Sequence, residues 1–176
     1  LANKDIQIYS ENKLTQESLV DFGWSGKSLN YNKDYLAVIN TNIAGGKTDN
    51  NIYQTIDHQA QISTNGEIIN TVKITRSNKS EEDALFSGLY GGNTSYLRIY
   101  APLDSEFIEA VGFDKIPDNF FAGNENAQID EDLAQEEIKM IDANSSTQIY
   151  TSLNKTVFAN WMTLAPGETK TVLIKY

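Results

Sequence analysis

The chain contains no cysteine and only one histidine, His58, among its 176 residues. Without cysteine it can form no disulfide, no thiolate metal site and no cysteine nucleophile. One histidine supplies too few nitrogen ligands for a zinc-type site. We therefore predict no metal and no other cofactor. The lack of cysteine fits a location outside the cytoplasm, although it does not fix the compartment by itself.

Basic residues are also scarce. The chain has 14 lysines and arginines against 24 acidic residues, which gives a net charge of −10. Nucleic-acid binding requires a basic footprint on the protein, so we predict no nucleic-acid partner. An anionic membrane surface would repel the chain, so we predict no membrane contact by this segment itself. The acidic surplus is typical of a protein kept in solution by like-charge repulsion.

Long apolar runs and a signal peptide are missing as well. No apolar stretch approaches the ~20 residues that a membrane span requires. The chain begins at Leu1 rather than at methionine, and it ends at Tyr176 within a strand-like pattern. We therefore expect it to be a fragment of a longer protein, with any anchor lying outside it.

The apolar and polar residues that are present alternate in a pattern typical of strands. Ile52 to Thr64 has a period of two, which predicts a long, half-buried strand. Asn65-Gly66 is a strong hairpin signal, and Ile68 to Arg76 is the returning strand. At 176 residues one domain can bury about 70% of its unfolded surface, so we predict a single domain over residues 1–176.

The stretch from Lys33 to Asp49 stands out from the rest. Its dense apolar start predicts that Tyr35 to Asn42 is a central strand, buried on both faces. Gly45-Gly46 then turns the chain. The following Lys-Thr pair is similar to the end of a phosphate-binding loop, but the first glycine of that motif is replaced by Thr41 and no helix follows. The sequence therefore favours a structural turn over a nucleotide site.

The remaining pattern predicts one helix and several short strands. Lys13 to Phe22 is the helix, with Thr15 as its cap and Gly23 after its end. The strand candidates are Ile6–Tyr9, Tyr96–Ala101, Phe107–Phe113, Glu137–Ile141, Gln148–Tyr150, Lys155–Leu164 and Thr169–Tyr176. Helical crossovers are missing between the strands. The fold class is therefore mostly β: an antiparallel β-sandwich, Ig-like or related, of about nine to ten strands with one short N-terminal helix.

Candidate sites are weak at the level of sequence. His58 shares the mostly apolar face of its strand, which favours a hydrogen-bonded structural histidine over a general base. The acidic residues 124–137 do not supply the ligand spacing of an EF-hand, although whether calcium binds there stays open. No catalytic motif is complete, so we predict that the chain is not an enzyme.

Aromatic and polar side chains leave a binding role open. Tyr96 and Tyr100 share one strand face, where packing is favoured over a sugar-stacking platform. The polar groups around the glycine turn are the others to consider. The candidate binding residues are Asn40, Asn42, Lys47, Asp49, Tyr96 and Tyr100.

Several ordered blocks resemble a known family. They are DFGWSG (Asp21 to Gly26), DYLAVINTNIAGGKTD (Asp34 to Asp49), INTVKITR (Ile69 to Arg76), YLRIYAP (Tyr96 to Pro102) and KTVFANWMTLAPGETKTV (Lys155 to Val172). Together they span most of the chain, from Asp21 to Val172, and resemble the C-terminal region of the bacterial domain-of-unknown-function family 4012. The resemblance implies a membrane-anchored, outward-facing parent protein and supplies no catalytic residues.

Two functions follow as hypotheses. The first is a non-catalytic, extracytoplasmic structural or interaction module of a bacterial cell-envelope protein, which predicts an exposed apolar or aromatic patch. The second is a carbohydrate-binding or carbohydrate-processing domain, which would use the tyrosines and a pair of carboxylates. The partner would be another protein or a cell-wall glycan.

Overall fold

The computed structural model describes residues 6–27, 34–43, 48–80, 92–116, 128 and 138–176. The contacts of the chain group into two compact units, Leu1–Asn32 and Lys33–Tyr176. Each unit is described by itself below.

The first unit holds the helix α1, Lys13–Asp21, close to its predicted bounds. The cap differs from the prediction: the Asn12 side chain accepts a hydrogen bond from the Thr15 N–H at 3.1 Å, so Asn12 and not Thr15 is the N-cap. Gly23 has a φ of 70° and closes a Schellman motif, as expected. Ile6–Tyr9 is not a strand but an irregular segment before the helix.

The second unit contains nine strands among the residues that the structure describes. All neighbouring strands are antiparallel, as predicted. A five-stranded sheet has the order β1-β4-β8-β7-β6, and a four-stranded sheet has the order β2-β3-β9-β5. The strands are β1 Ala37–Ile43, β2 Ile52–Ile62, β3 Ile68–Asn78, β4 Asn93–Ala101, β5 Glu109–Val111, β6 Ile138–Ile141, β7 Gln148–Ser152, β8 Lys155–Leu164 and β9 Thr169–Lys175.

The core lies between the two sheets, which confirms the predicted β-sandwich. Alternate residues of β3 and β9 face alternate residues of β4 and β8, and their apolar side chains are buried. Phe158 of β8 is fully buried and its ring lies 5.4 Å from that of Tyr176 and 5.9 Å from that of Phe107. Burial of apolar surface is the main favourable contribution to the free energy of folding.

β1 does not occupy the central position that its apolar start predicts. It lies at the edge of the five-stranded sheet and pairs with β4 alone among the described strands. Its residues are mostly half-buried, and Ile39 is 41% exposed. The central strand is β8, which is paired on both sides and buried on both faces.

The β2–β3 hairpin confirms the Asn65-Gly66 signal. The two strands pair from Ile52↔Asn78 to Ile62↔Ile68 without a break in register, and Gly66 has a φ of 86°. The predicted half-burial of β2 is wrong, because most of β2 is exposed on both faces. The reason is its place at the sheet edge, where the opposite sheet covers β3 and not β2.

Within the described ranges, the one helix of α type is too short and too polar to cross a membrane.

Candidate functional site

Two of the predicted binding residues, Asn40 and Asn42, point into the sandwich. They pair with Leu97 and Ser95 of β4, so they share the inward face of the five-stranded sheet. Both are half-buried, and Ser95 is fully buried. Two residues before Ser95 on β4, Asn93 takes part in a hydrogen-bond network that includes the opposite sheet and the segment before β2.

The member of this network on the opposite sheet is Arg76 of β3, whose side chain is 2% exposed. Its Nη1 donates to Asn93 Oδ1 at 3.2 Å, and its Nη2 lies 3.6 Å from Asp49 Oδ1. Asn93 Nδ2 in turn donates to Asp49 Oδ1 at 2.9 Å and to Thr48 Oγ1 at 3.0 Å. Burial lowers the pKa of the Arg76 guanidinium, and the Asp49 carboxylate offsets part of that effect.

We call this group the polar corner. Its members lie on β1, β2, β3, β4 and the short 3-10 turn Thr48–Asn51. They are Asn40, Asn42, Asp49, Gln54, Arg76, Asn93 and Ser95. Among the described residues, four buried atoms of this group have no hydrogen-bond partner: Asn40 Oδ1, Gln54 Oε1, Arg76 Nε and Ser95 Oγ. The Arg76–Asn93 hydrogen bond of the polar corner links the two sheets. Of the predicted binding residues, Asn40 and Asn42 share the inward sheet face of Ser95, and Asp49 accepts a hydrogen bond from Asn93.

Three features predicted from the sequence lie outside the described residues. These are Lys47, the Gly45-Gly46 turn and nearly all of the acidic segment 124–137. The binding role of Lys47 and the calcium question for segment 124–137 stay predictions.

Tyr96 and Tyr100 lie on the opposite face of the five-stranded sheet from Asn40 and Asn42. Tyr96 is half-buried, its hydroxyl donates to Gln148 Oε1 at 2.6 Å, and its ring lies 4.8 Å from that of Trp161. Tyr100 is only 8% exposed and packs in a second apolar cluster with Val157. A sugar-stacking platform needs exposed rings, and Tyr100 does not present one.

His58 makes the hydrogen bond that the sequence predicts. Its Nε2 lies 2.9 Å from Asn70 Oδ1, and it faces the same side of the hairpin as Val72. This hydrogen bond links β2 to β3 on the side of the Asn65-Gly66 turn.

The most exposed apolar surface in the second unit includes strand β2. Along its inward-facing row, Ile56 is 45% and Ile62 is 72% exposed, and Ala60 between them is also exposed. Tyr53 on the other face is 67% exposed. Within the described part of the chain no strand pairs with the far side of β2. The strand thus offers both backbone groups and apolar side chains to a partner.

The sequence patterns do not single out Arg76 or Tyr176. Arg76 continues the inward row Val72–Ile74 of β3, and Tyr176 continues the inward row Val172–Ile174 of β9. A polar-tipped side chain at the end of an apolar row was the signal that could have found both. Tyr176 lines a groove of about 780 Å³ at the other end of the sandwich from Arg76.

Across the described residues, no group of three or more histidine or acidic side chains is arranged to hold a metal ion. Comparison of the chain with protein-family models, with curated proteins and with solved structures gives no match. The resemblance to the bacterial domain-of-unknown-function family 4012 therefore stays a prediction.

Proposed function

We propose that the β-sandwich is a non-catalytic interaction module of a bacterial cell-envelope protein, placed outside the cytoplasm, and that it contacts a protein partner through strand β2. The envelope location is drawn from the family resemblance and from the lack of cysteine. The mode of contact is drawn from the structure of the hairpin.

The exposed edge of β2 is the observation that carries the proposal. The strand has 11 residues in unbroken register, so it is about 37 Å long. Natural edge strands are usually protected by lysine, proline or a bulge, because an open edge pairs with other strands. β2 has none of these and carries one acidic residue, Asp57. A strand added along this edge would bury Ile56 and Ile62.

Site-specific photo-cross-linking in the native host tests this contact. Benzoylphenylalanine replaces Ile56 on β2 in one variant and Leu153 in the matched control. Leu153 is 66% exposed in the β7–β8 turn of the other sheet. We expect a discrete cross-linked protein from position 56 alone, and we expect Ile62→Lys to abolish it. Equal products from both positions, or none from position 56, would overturn the proposal.

The proposed location has a separate test, because the chain contains no cysteine. A single cysteine introduced by Leu153→Cys is the sole thiol that a membrane-impermeant maleimide could label in this chain. We expect labelling in intact cells at the level seen after lysis. Labelling that occurs only after lysis would show that the module faces the cytoplasm.

A further inference from the structure

The groove beside Tyr176 has an apolar wall and an acidic rim. Ala60, Ile62, Ile68, Pro102 and Ile108 supply the apolar surface. Four exposed carboxylates surround it: Asp34, Glu67, Asp104 and Glu106. The described lining residues include no lysine, arginine or histidine. The groove is therefore complementary to a cation with an aliphatic stem.

The Tyr176 hydroxyl is a second, independent observation at the same place. The side chain is 5% exposed, and its ring is held against Phe158 at 5.4 Å. Backbone hydrogen bonds in both directions with Asn70, at 3.0 and 2.7 Å, fix its position. The buried hydroxyl has no hydrogen-bond partner among the described residues. A buried hydroxyl left unpaired is costly, so a ligand that pairs with it gains that energy.

Tyr176 is one of the residues that line the groove. Burial raises the pKa of Tyr176 to about 12, with the charge of Asp34 as the second cause. Asp34 also lines the groove, so the carboxylate that acts on the Tyr176 hydroxyl is part of the groove wall. A neutral tyrosine oxygen can accept a hydrogen bond from an N–H donor, while the carboxylates supply the compensating charge.

The groove is continuous with the edge of β2, since Ala60 and Ile62 belong to both. Side chains of an added strand alternate between the two faces of the sheet. Every second side chain of a strand paired with the end of β2 would therefore point toward the groove.

We infer that the groove binds a lysine or arginine side chain of a protein partner whose extended segment pairs with β2. This inference rests on the proposed function and adds to it the chemistry of the partner. A second copy of this chain is a poorer occupant, because its net charge of −10 would be brought against an acidic rim.

The test is an NMR titration of the ¹⁵N-labelled chain with capped seven-residue peptides of alternating threonine and valine. The central residue of the peptide is lysine, glutamine or glutamate. We expect the lysine peptide to shift the amide signals of Asn70, Ser105 and Tyr176, and to bind about fivefold more tightly than the glutamine peptide. The glutamate peptide should leave these signals unchanged.

Variants of the chain locate the effect. In the double variant Asp104→Asn with Glu106→Gln, the preference for lysine should fall about fivefold. Asparagine suits position 104, where φ is 65°. Glu168→Gln is the matched control, because this residue lies before the other end of β9, roughly 25 Å from Tyr176. Tyr176→Phe keeps the ring and should weaken lysine binding about threefold.

The outcomes separate the groove from the β2 edge. Equal binding of the lysine and glutamine peptides would leave the β2 contact standing and overturn the groove inference. Failure of every peptide to shift groove signals would overturn it too, while the cross-link from position 56 decides the proposed function independently. Groove shifts that grow with protein concentration in the absence of peptide would assign the groove to a second copy and also overturn the inference.

Discussion

Asp114 ties the segment after β5 to both sheets, and its replacement by asparagine gives a quantitative test of the structure. Its Oδ2 accepts hydrogen bonds from Thr163 N–H at 2.7 Å, from Thr163 Oγ1 at 2.9 Å and from Lys170 Nζ at 2.9 Å. Its backbone N–H donates to the Trp161 carbonyl at 2.9 Å. Asp114→Asn keeps the shape and the backbone contact but removes the charge.

The expected loss of stability follows from these contacts. Asp114 and Lys170 are 27% and 23% exposed, so their interaction is only partly screened by solvent. Burial alone would raise the pKa of Asp114, but the hydrogen bonds from Thr163 and Lys170 outweigh it and the pKa is lowered. Charge-assisted hydrogen bonds contribute about 1.5–3 kcal/mol each, and asparagine retains some of this bonding. We expect Asp114→Asn to lower the free energy of unfolding by about 2–3 kcal/mol at pH 7.

The pH dependence of this loss of stability tests whether the charge of Asp114 causes it. A carboxyl group whose pKa is lowered by folding stabilises the fold above its unfolded pKa of about 3.9, and this contribution is lost as pH falls through the folded pKa. The stability gap between wild type and Asp114→Asn should therefore shrink below about pH 4. Urea unfolding followed by tryptophan fluorescence at pH 7 and pH 3 measures it. Asp57→Asn, exposed on β2, is the control. A gap under about 0.5 kcal/mol at pH 7, or one of equal size at both pH values, would refute the reasoning.

Three further substitutions test the packing described above. Phe158→Ala should lower the free energy of unfolding by about 3–5 kcal/mol in urea, because the ring is fully buried between the sheets; a loss under about 1 kcal/mol would contradict that core. Arg76→Met should leave the free energy of unfolding within about 1 kcal/mol of wild type, because an apolar side chain replaces a buried, incompletely paired charge. A larger loss would show that the guanidinium has stronger partners than Asn93 and Asp49. Asn12→Ala should destabilise α1 by about 1 kcal/mol, seen as faster amide hydrogen exchange in the helix, and unchanged exchange would argue against the cap.

The elements that the sequence predicts best are those fixed by local pattern. β8 has the bounds Lys155–Leu164 that its apolar run predicts, and the Asn65-Gly66 hairpin forms as expected. Both depend on residues adjacent in sequence: apolar density for β8 and turn chemistry for the hairpin. The end of α1 at Gly23 is likewise determined by a residue next to it in the sequence.

The order of strands within a sheet is set by long-range pairing, which a single sequence does not encode locally. The apolar start of β1 predicts burial, yet β1 lies at a sheet edge. The alternation in β2 predicts one covered face, yet the opposite sheet lies over β3 and leaves Ile56 exposed. Periodicity identifies which residues share a face, and it does not identify what packs against that face.

The candidate site shows the same division. The sequence placed Asn40, Asn42 and Asp49 in one group. In the structure Asn40 and Asn42 lie on the inward face of β1, and Asp49 accepts a hydrogen bond from Asn93. What the sequence did not predict is Arg76, because a buried guanidinium requires partners from β4 and from the turn before β2, which are distant in sequence. Tyr176 was missed for a similar reason, since Asp34 lies 142 positions before it (176 − 34).

The two ends of the sandwich use their charges in opposite ways. At the end where β3 finishes and β9 begins, the carboxylates of Asp49 and Asp114 are paired with Arg76 and Lys170. At the other end, four carboxylates surround the groove without a cation among the described lining residues. A net charge of −10 evenly spread would serve solubility alone. Among the described residues these acids lie beside a strand with no neighbour on its far side, so the charge at this end agrees with the basic partner proposed above.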